Sequence, residues 1–401
     1  YYRKYQEKET GRKAVKLPST SPANAAFSIE KLTREWKEIC VPLQVAPFGI
    51  GEVLLKWYDY NARILPWRSE PTPYHVWISE IMLQQTRVEA VKKYYERWMS
   101  VLPDVKDLSE VSDEELMKLW EGLGYYNRAR NLKIAAIQIM QDFNGEIPED
   151  YSKLLSLKGI GEYTAGAIAS IAFGIPEPAV DGNALRIFSR ILAEDGEINK
   201  ALVKKKITQE VRRVLPKERP GDFNQALMDL GSSICIPNGK PFCENCPWES
   251  ICQAHKYGRE MDFPVKAKKK KRRIEEKAVF LIEVSDKIVL HKRPEKGLLR
   301  GMWELPNVAI NSTEEGFSSK KICEQIKKWG IVDYMIEPLG EGKHIFSHVE
   351  WQMRGYRLQM QNISDEILKK EEWIVVSNKD LEEKYAIPSA FECYRKQIYR
   401  K

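Results

Sequence analysis

The sequence predicts a multidomain chain, an all-α domain followed by a smaller α+β domain, and three observations carry that expectation. Between about Gly51 and Ala254 apolar residues recur at helical intervals, with Gly- or Pro-containing turns between most segments. Beyond a basic run at 265–277 the period changes to short alternating stretches. Four of the seven cysteines crowd between 235 and 252, at the end of the helical region.

In order, the first ~45 residues are rich in Lys and Arg, carry Pro18, Pro22 and Pro42, and read as a basic flexible extension (1–45) with a short helix at Phe27–Ile39. The chain opens on Tyr1 instead of Met, so its natural start is expected upstream. The helical region, 46–264, opens with Leu54, Leu55 and Tyr58, and continues with one long helix from Val76 to Met99. Further helices are expected at Asp113–Glu121, Asn127–Asp142, Tyr151–Leu157, Tyr163–Phe173, Gly182–Leu192, Val203–Val214 and Phe223–Ser232. Residues 265–277 have no apolar face and read as a basic linker, attractive to a nucleic-acid backbone. From 278 to 401, strands are expected at Ala278–Val284, Lys287–Lys292, His348–Met360 and Trp373–Val376, with helices at Glu314–Trp329 and Ser389–Tyr399.

Composition bounds the function classes. With 43% hydrophobic and 30% charged residues the chain reads as globular, and no apolar run approaches the ~20 residues needed to cross a bilayer. No membrane partner is expected, and clustered cysteines in a non-secreted chain point to metal before disulfides. The net charge of +7 is mild for 401 residues.

Two local patterns carry chemistry. Leu157-Lys158-Gly159-Ile160-Gly161 lies between two helical patterns, and its glycines are expected to take φ > 0 at both positions. The helix that follows would present bare N–H groups and the positive end of its dipole, a site for an anion such as a DNA phosphate; the plainer alternative is a turn between helices. The second pattern is Cys235, Cys243, Cys246 and Cys252, with seven, two and five residues between them. Such a set suits tetrahedral zinc or an iron–sulfur cluster. Only one Cys-x-x-Cys pair is present, and the asymmetric spacing fits the wrap of a cubane cluster better. Cys40, Cys323 and Cys393 read as incidental thiols.

With these parts in order, the chain resembles the helix-hairpin-helix DNA glycosylases that carry an iron–sulfur cluster, and among them the MutY-type adenine DNA glycosylases. The resemblance runs from about residue 50 to the C-terminus. Its residues are Leu65-Pro66-Trp67-Arg68, Ser79-Glu80-Ile81-Met82-Leu83-Gln84-Gln85-Thr86, Trp120-Glu121-Gly122-Leu123-Gly124-Tyr125-Tyr126, the hairpin, Val180-Asp181-Gly182-Asn183 and the cysteine loop. One departure is the first cysteine gap, seven residues where the family usually has six. The resemblance implies an all-α helix-hairpin-helix glycosylase domain whose cysteine loop holds a [4Fe–4S] cluster, and an α+β Nudix-like C-terminal domain. It implies a monomer acting on double-stranded DNA with adenine opposite 8-oxoguanine or G, in a bacterial-type cytoplasm at the nucleoid.

Cleaving an adenine N-glycosidic bond requires a proton for the leaving base and an anion beside a cationic sugar, a problem two carboxyls with separated pKa values can solve. The resemblance assigns Glu80 as the acid, on an apolar helix where burial should raise its pKa, and Asp181 as the stabilising carboxylate. The position of Asp181 before a helix also suits an N-cap. Asn183 would help order the attacking water, and Tyr163 would bond near Asp181 and pack on the substrate. Bifunctional relatives resembling endonuclease III carry a lysine in place of Tyr163, whose amine forms a Schiff base, and a glutamine in place of Glu80.

The flipped adenine would need a pocket, with Trp67, Leu83 and Tyr163 as apolar walls and Arg63, Arg68 and Gln225 as polar contacts. Gln85 and Tyr125, flanked by Thr86 and Leu123, would fill the gap left in the stack, while Gly159 and Gly161 hold the strand. In the second domain, Gly297–Pro306 carries the Nudix-like signal, but 313–329 lacks the Glu-rich order that a metal-dependent hydrolase needs. What remains is binding: Phe346-Ser347-His348 resembles the family's loop for reading 8-oxoguanine, and the resemblance implies that these three residues would read the oxidised purine. Two other readings stay open: a glycosylase/lyase for oxidised pyrimidines, and a non-catalytic cluster-bearing DNA-binding protein.

Overall fold

The computed structural model describes residues 49–267, 271–310 and 318–398. The basic extension 1–45, Cys40, the lysines at 268–270 and residues 311–317 lie outside the described residues. The described chain falls into two compact units, one of residues up to Ala62 with Val180–Lys266, the other of Arg63–Ala179 with residues from Ala267 onward. No described helix is long and apolar enough to cross a membrane.

In the first unit, the helices Ile50–Asn61, Gly182–Ile191, Ala201–Val214 and Pro220–Ser233 surround one core. Val203, Ile207, Val211 and Val214 recur on one stripe of the third helix and meet Phe188, Phe223 and Leu230 there. Trp248 plugs the same core and donates from its indole to the Ile50 carbonyl at 3.0 Å.

In the second unit, helices Pro66–Ser69, Pro73–Leu83, Val88–Val101, Val105–Glu110, Asp113–Leu119, Asn127–Asp142, Tyr151–Ser156 and Glu162–Phe173 pack around Trp77, Trp98 and Trp120. Thr72, Asp104, Ser112 and Asp150 cap four of them from their side chains, as helix-start chemistry requires. The expected long helix from Val76 to Met99 is two helices, broken at 84–87, where Gln85 takes φ +60°. Both pieces bury their stripes in the same core, so the apolar pattern runs unbroken across the turn.

Among the described residues, the remainder of this unit holds a seven-stranded sheet, β1 (Arg273–Val284), β2 (Lys287–Lys292), β3 (Trp303–Glu304), β4 (Asn307–Ala309), β5 (Met335–Ile345), β6 (Val349–Met360) and β7 (Trp373–Val376), together with the helices Ser319–Trp329, Asp365–Lys370, Asn378–Glu383 and Glu392–Ile398. Its order is β3-β2-β1-β6-β5, with β4 on β1 and β7 on β2. β1 and β6 run parallel from Arg273↔Val349 to Val284↔Met360. Alternate residues of β1 feed two cores, Val279 and Leu281 facing Trp351 and Phe391, and Ala278, Phe280 and Ile282 facing Ile326 and Trp329. β1 begins at Arg273, inside the stretch read as linker, because polar residues there still pair with β6. β5 was not expected: it is largely exposed and carries no apolar alternation.

Gly166 lies within Glu162–Phe173, and a Cβ there would meet the Pro178 carbonyl oxygen at 2.3 Å. Alanine would gain roughly 0.5–1 kcal/mol of helix preference but lose roughly 1–3 kcal/mol to overpacking. Gly166→Ala should therefore lower the urea midpoint of unfolding; a raised midpoint would contradict this packing.

Candidate active site

Glu80 sits on Pro73–Leu83, where Tyr74 and every residue from Val76 to Met82 are buried, and is itself only 4% exposed. A carboxylate removed from water needs a donor, and the Tyr163 hydroxyl supplies one to Oε2. Tyr163 stands on the first turn of Glu162–Phe173, which packs against the Glu80 helix.

The expected pocket walls divide. Trp67 is 5% exposed and packs edge-on to Tyr95 at 5.5 Å, so it is a core residue; Leu123, also 5% exposed, lies in the same core. Leu83 is half-buried against it. Arg68 is turned back on the Arg63 carbonyl at 3.2 Å, and the Thr86 hydroxyl meets the Gln84 carbonyl at 3.5 Å. Gln85 and Tyr125 are exposed, and both backbones are left-handed, at φ +60° and +48°.

The hairpin turns between buried Leu157 and Ile160. Gly159 takes φ +79°, and a Cβ there would meet Asn131 Cβ at 2.7 Å, so both conformation and space demand glycine. The expectation of φ > 0 at Gly161 fails: it is extended, at φ −99° and ψ −179°, because an N-cap takes β-region angles. No side chain caps that helix, and nothing lies within 4 Å of a Cβ at Gly161, which leaves the helix start open to an anion.

In the first unit, Asp181 caps Gly182–Ile191, with Oδ1 accepting from the Ala184 amide at 2.8 Å and Oδ2 from Asn183 Nδ2 at 2.6 Å. Asn183 in turn accepts from Arg186 Nη2 at 2.9 Å, and Arg186 Nε reaches the Cys235 carbonyl at 2.8 Å. Sequence reasoning missed Arg186, whose place on an amphipathic helix looks like an ordinary basic position. Burial raises the Asp181 pKa, opposed by the hydrogen bonds from Ala184 and Asn183 and the charge of Arg186. Gln225 is half-buried on Pro220–Ser233.

Cys235, Cys243, Cys246 and Cys252 line one cavity with Arg190, and Arg190 Nη1 donates to Cys235 Sγ at 3.2 Å. Two short 3₁₀ turns, Cys243–Asn245 and Glu249–Ile251, wrap the loop so that all four thiols converge. Four soft donors beside a buried cation fit an anionic thiolate-bound metal cluster. Cys243, His255 and Glu260 also bring ligand atoms within 4.8 Å of one another, although His255 Nδ1 is paired with Glu260 at 2.5 Å.

Within the second unit, Phe346 begins a tight turn, its amide donating to the Val349 carbonyl at 2.8 Å. Its ring is braced edge-on by His344 at 4.6 Å and Trp351 at 4.8 Å, leaving Ser347 and His348 exposed. These three residues line a cavity with Tyr125, Leu299 and Arg300. The helical segment reaches the sheet segment through Lys118 Nζ to the Leu381 carbonyl at 3.1 Å and Arg130 Nη2 to the Arg300 carbonyl at 2.6 Å.

Residues 78–213 match the model of the HhH-GPD superfamily of base excision DNA repair proteins, and residues 278–397 match a NUDIX domain. The chain is 33% identical to the adenine DNA glycosylase of Mus musculus, over 87% of this chain and 80% of that protein. It is 34% identical to that of Homo sapiens over 82% of this chain and 72% of that protein. It is 35% identical to that of Buchnera aphidicola subsp. Schizaphis graminum over 75% of this chain and 85% of that protein. The chain belongs to the adenine DNA glycosylases.

Burial that holds the Asp181 carboxyl above its ordinary pKa is a cost to the fold at neutral pH. The stability Asp181 contributes is present in full below its unfolded pKa and is lost as pH rises through the higher folded value. Asp181→Asn should therefore melt above the wild type at pH 7, with the difference closing toward pH 4. A variant that melts lower at pH 7 would show that the charged cap outweighs the burial.

Proposed function

We propose that the chain hydrolyses the N-glycosidic bond of adenine opposite 8-oxoguanine or G in double-stranded DNA, and stops at the abasic site. The observation that carries this reading is the buried Glu80 carboxyl bonded to a phenol. Glu80, protonated, would deliver its proton to the departing base. Asp181, ordered by the Ala184 amide and Asn183, would stabilise the cationic sugar or bond to it transiently before water completes the hydrolysis. Asn183 would help order that water. Tyr163 has no amine to form a Schiff base, so no strand cleavage follows base loss.

Domain boundaries follow the same reading: a glycosylase domain over 46–264, a connecting segment over 265–277 and a lesion-reading domain over 278–401, acting as a monomer. Phe346, Ser347 and His348 would read 8-oxoguanine, Phe346 as a wedge and the two exposed polar groups as hydrogen-bonding partners. Gly159 and Gly161 would hold a phosphate at the uncapped helix start. The four cysteines would hold a [4Fe–4S] cluster, which when bound would tie the loop 235–252 through four thiolates. Iron and sulfide in the purified protein are the expected result; zinc alone would favour the Cys243, His255 and Glu260 donor set.

A duplex with a single A opposite 8-oxoguanine tests the reaction. Strand breakage only after alkali is the expected outcome. Breakage without alkali would mean a lyase, and binding without adenine release a non-catalytic DNA-binding protein.

A further inference from the structure

Arg128 takes no part in the reading above, yet its guanidinium is fixed by five main-chain carbonyls. Nη1 donates to Ile81 at 2.6 Å, Met82 at 3.2 Å and Gln84 at 2.8 Å, and Nη2 to Leu123 at 2.9 Å and Gly124 at 3.0 Å. The first three acceptors lie at the end of the helix that carries Glu80 and in the turn after it, where carbonyls have no partner in the helix. The other two lie in the turn that precedes Asn127–Asp142. The same guanidinium lies over the rings of Trp120, at 5.1 Å, and Tyr125, at 5.7 Å. Burial lowers its pKa to about 10, so its charge rests chiefly on oriented carbonyl dipoles.

Each bridged turn presents one exposed residue in the left-handed region, Gln85 at φ +60° and Tyr125 at φ +48°. Such backbones cost on the order of 1 kcal/mol or more and persist where the surroundings over-determine them. Arg128 over-determines both at once. A planar fork can hold two separate sets of acceptors at a fixed spacing; an ammonium at the end of a flexible stem cannot.

We propose that Arg128 is a positioning residue that locks Gln85 and Tyr125 at one separation, so that both enter the base stack together as the target nucleotide is extruded. The proposal rests on the reading of Gln85 and Tyr125 as gap-filling residues. Without the clamp the two turns move independently, and extrusion becomes two uncoordinated insertions.

The test is a cycle of variants read by stopped-flow fluorescence of 2-aminopurine at the target position opposite 8-oxoguanine, normalised to DNA-bound protein. Arg128→Lys and the double variant Gln85→Ala/Tyr125→Ala should each slow extrusion, by about 10²-fold for a misplaced group, and their combination should be no slower than the double variant alone. Additive slowing would overturn the proposal, because a merely structural guanidinium acts independently of the two side chains. Arg128→Gln replaces Arg128→Lys should the latter not fold, and failure of both to fold would assign the guanidinium to stability and overturn the positioning role. If the double variant extrudes at the wild-type rate, the gap-filling reading itself is wrong. If the double variant is slow and the Arg128 variants are not, only the role of Arg128 falls.

Discussion

Burying a carboxylate among apolar side chains costs several kcal/mol unless a donor meets it or it takes up a proton. Glu80 imposes that condition on the second unit. It lies on a helix whose neighbouring residues are core, so the helix cannot turn to expose it without losing Trp77, Ile78 and Met82 from the interior. The Glu162–Phe173 helix must therefore bring Tyr163 to it, and the start of that helix is set by the Gly159 turn. Gly166 admits the Pro178 carbonyl against the same helix. Hairpin, helix packing and acid are one construction.

The first unit meets a comparable condition by other means. Asp181 is stabilised by an amide of its own helix and by Asn183, and the chain of bonds continues through Arg186 to the backbone of Cys235. The loop that gathers the four thiols is thus joined by hydrogen bonds to the residue that orders Asp181. Arg190, donating to the Cys235 sulfur, adds a buried positive charge where thiolates would collect.

Much of this was legible in the sequence where a residue type has few uses. Glycine in the hairpin, an acid before a helix and four clustered thiols each have a narrow physical meaning, and the structure puts Asp181 at an N-cap and the four cysteines on one cavity. Legibility failed where the decisive partner is main chain. Arg128 and Arg186 look like basic residues on amphipathic helices, because their carbonyl acceptors leave no trace in residue identity. Trp67 carried the opposite ambiguity: an aromatic side chain serves as pocket wall or as core, and here it is core. The break after Leu83 was hidden because two helices share one core, and β5 because an exposed strand need not alternate.

In the proposed reaction the Glu80 carboxyl held by Tyr163 would supply the proton on which base release depends. This role is tested most directly by single-turnover adenine release from an A opposite 8-oxoguanine duplex with Glu80→Gln, alongside the duplex affinity of the same variant. A general acid contributes about 10²–10⁴-fold, so release should fall by that order while binding stays at the wild-type level. Release near the wild-type rate would contradict the account.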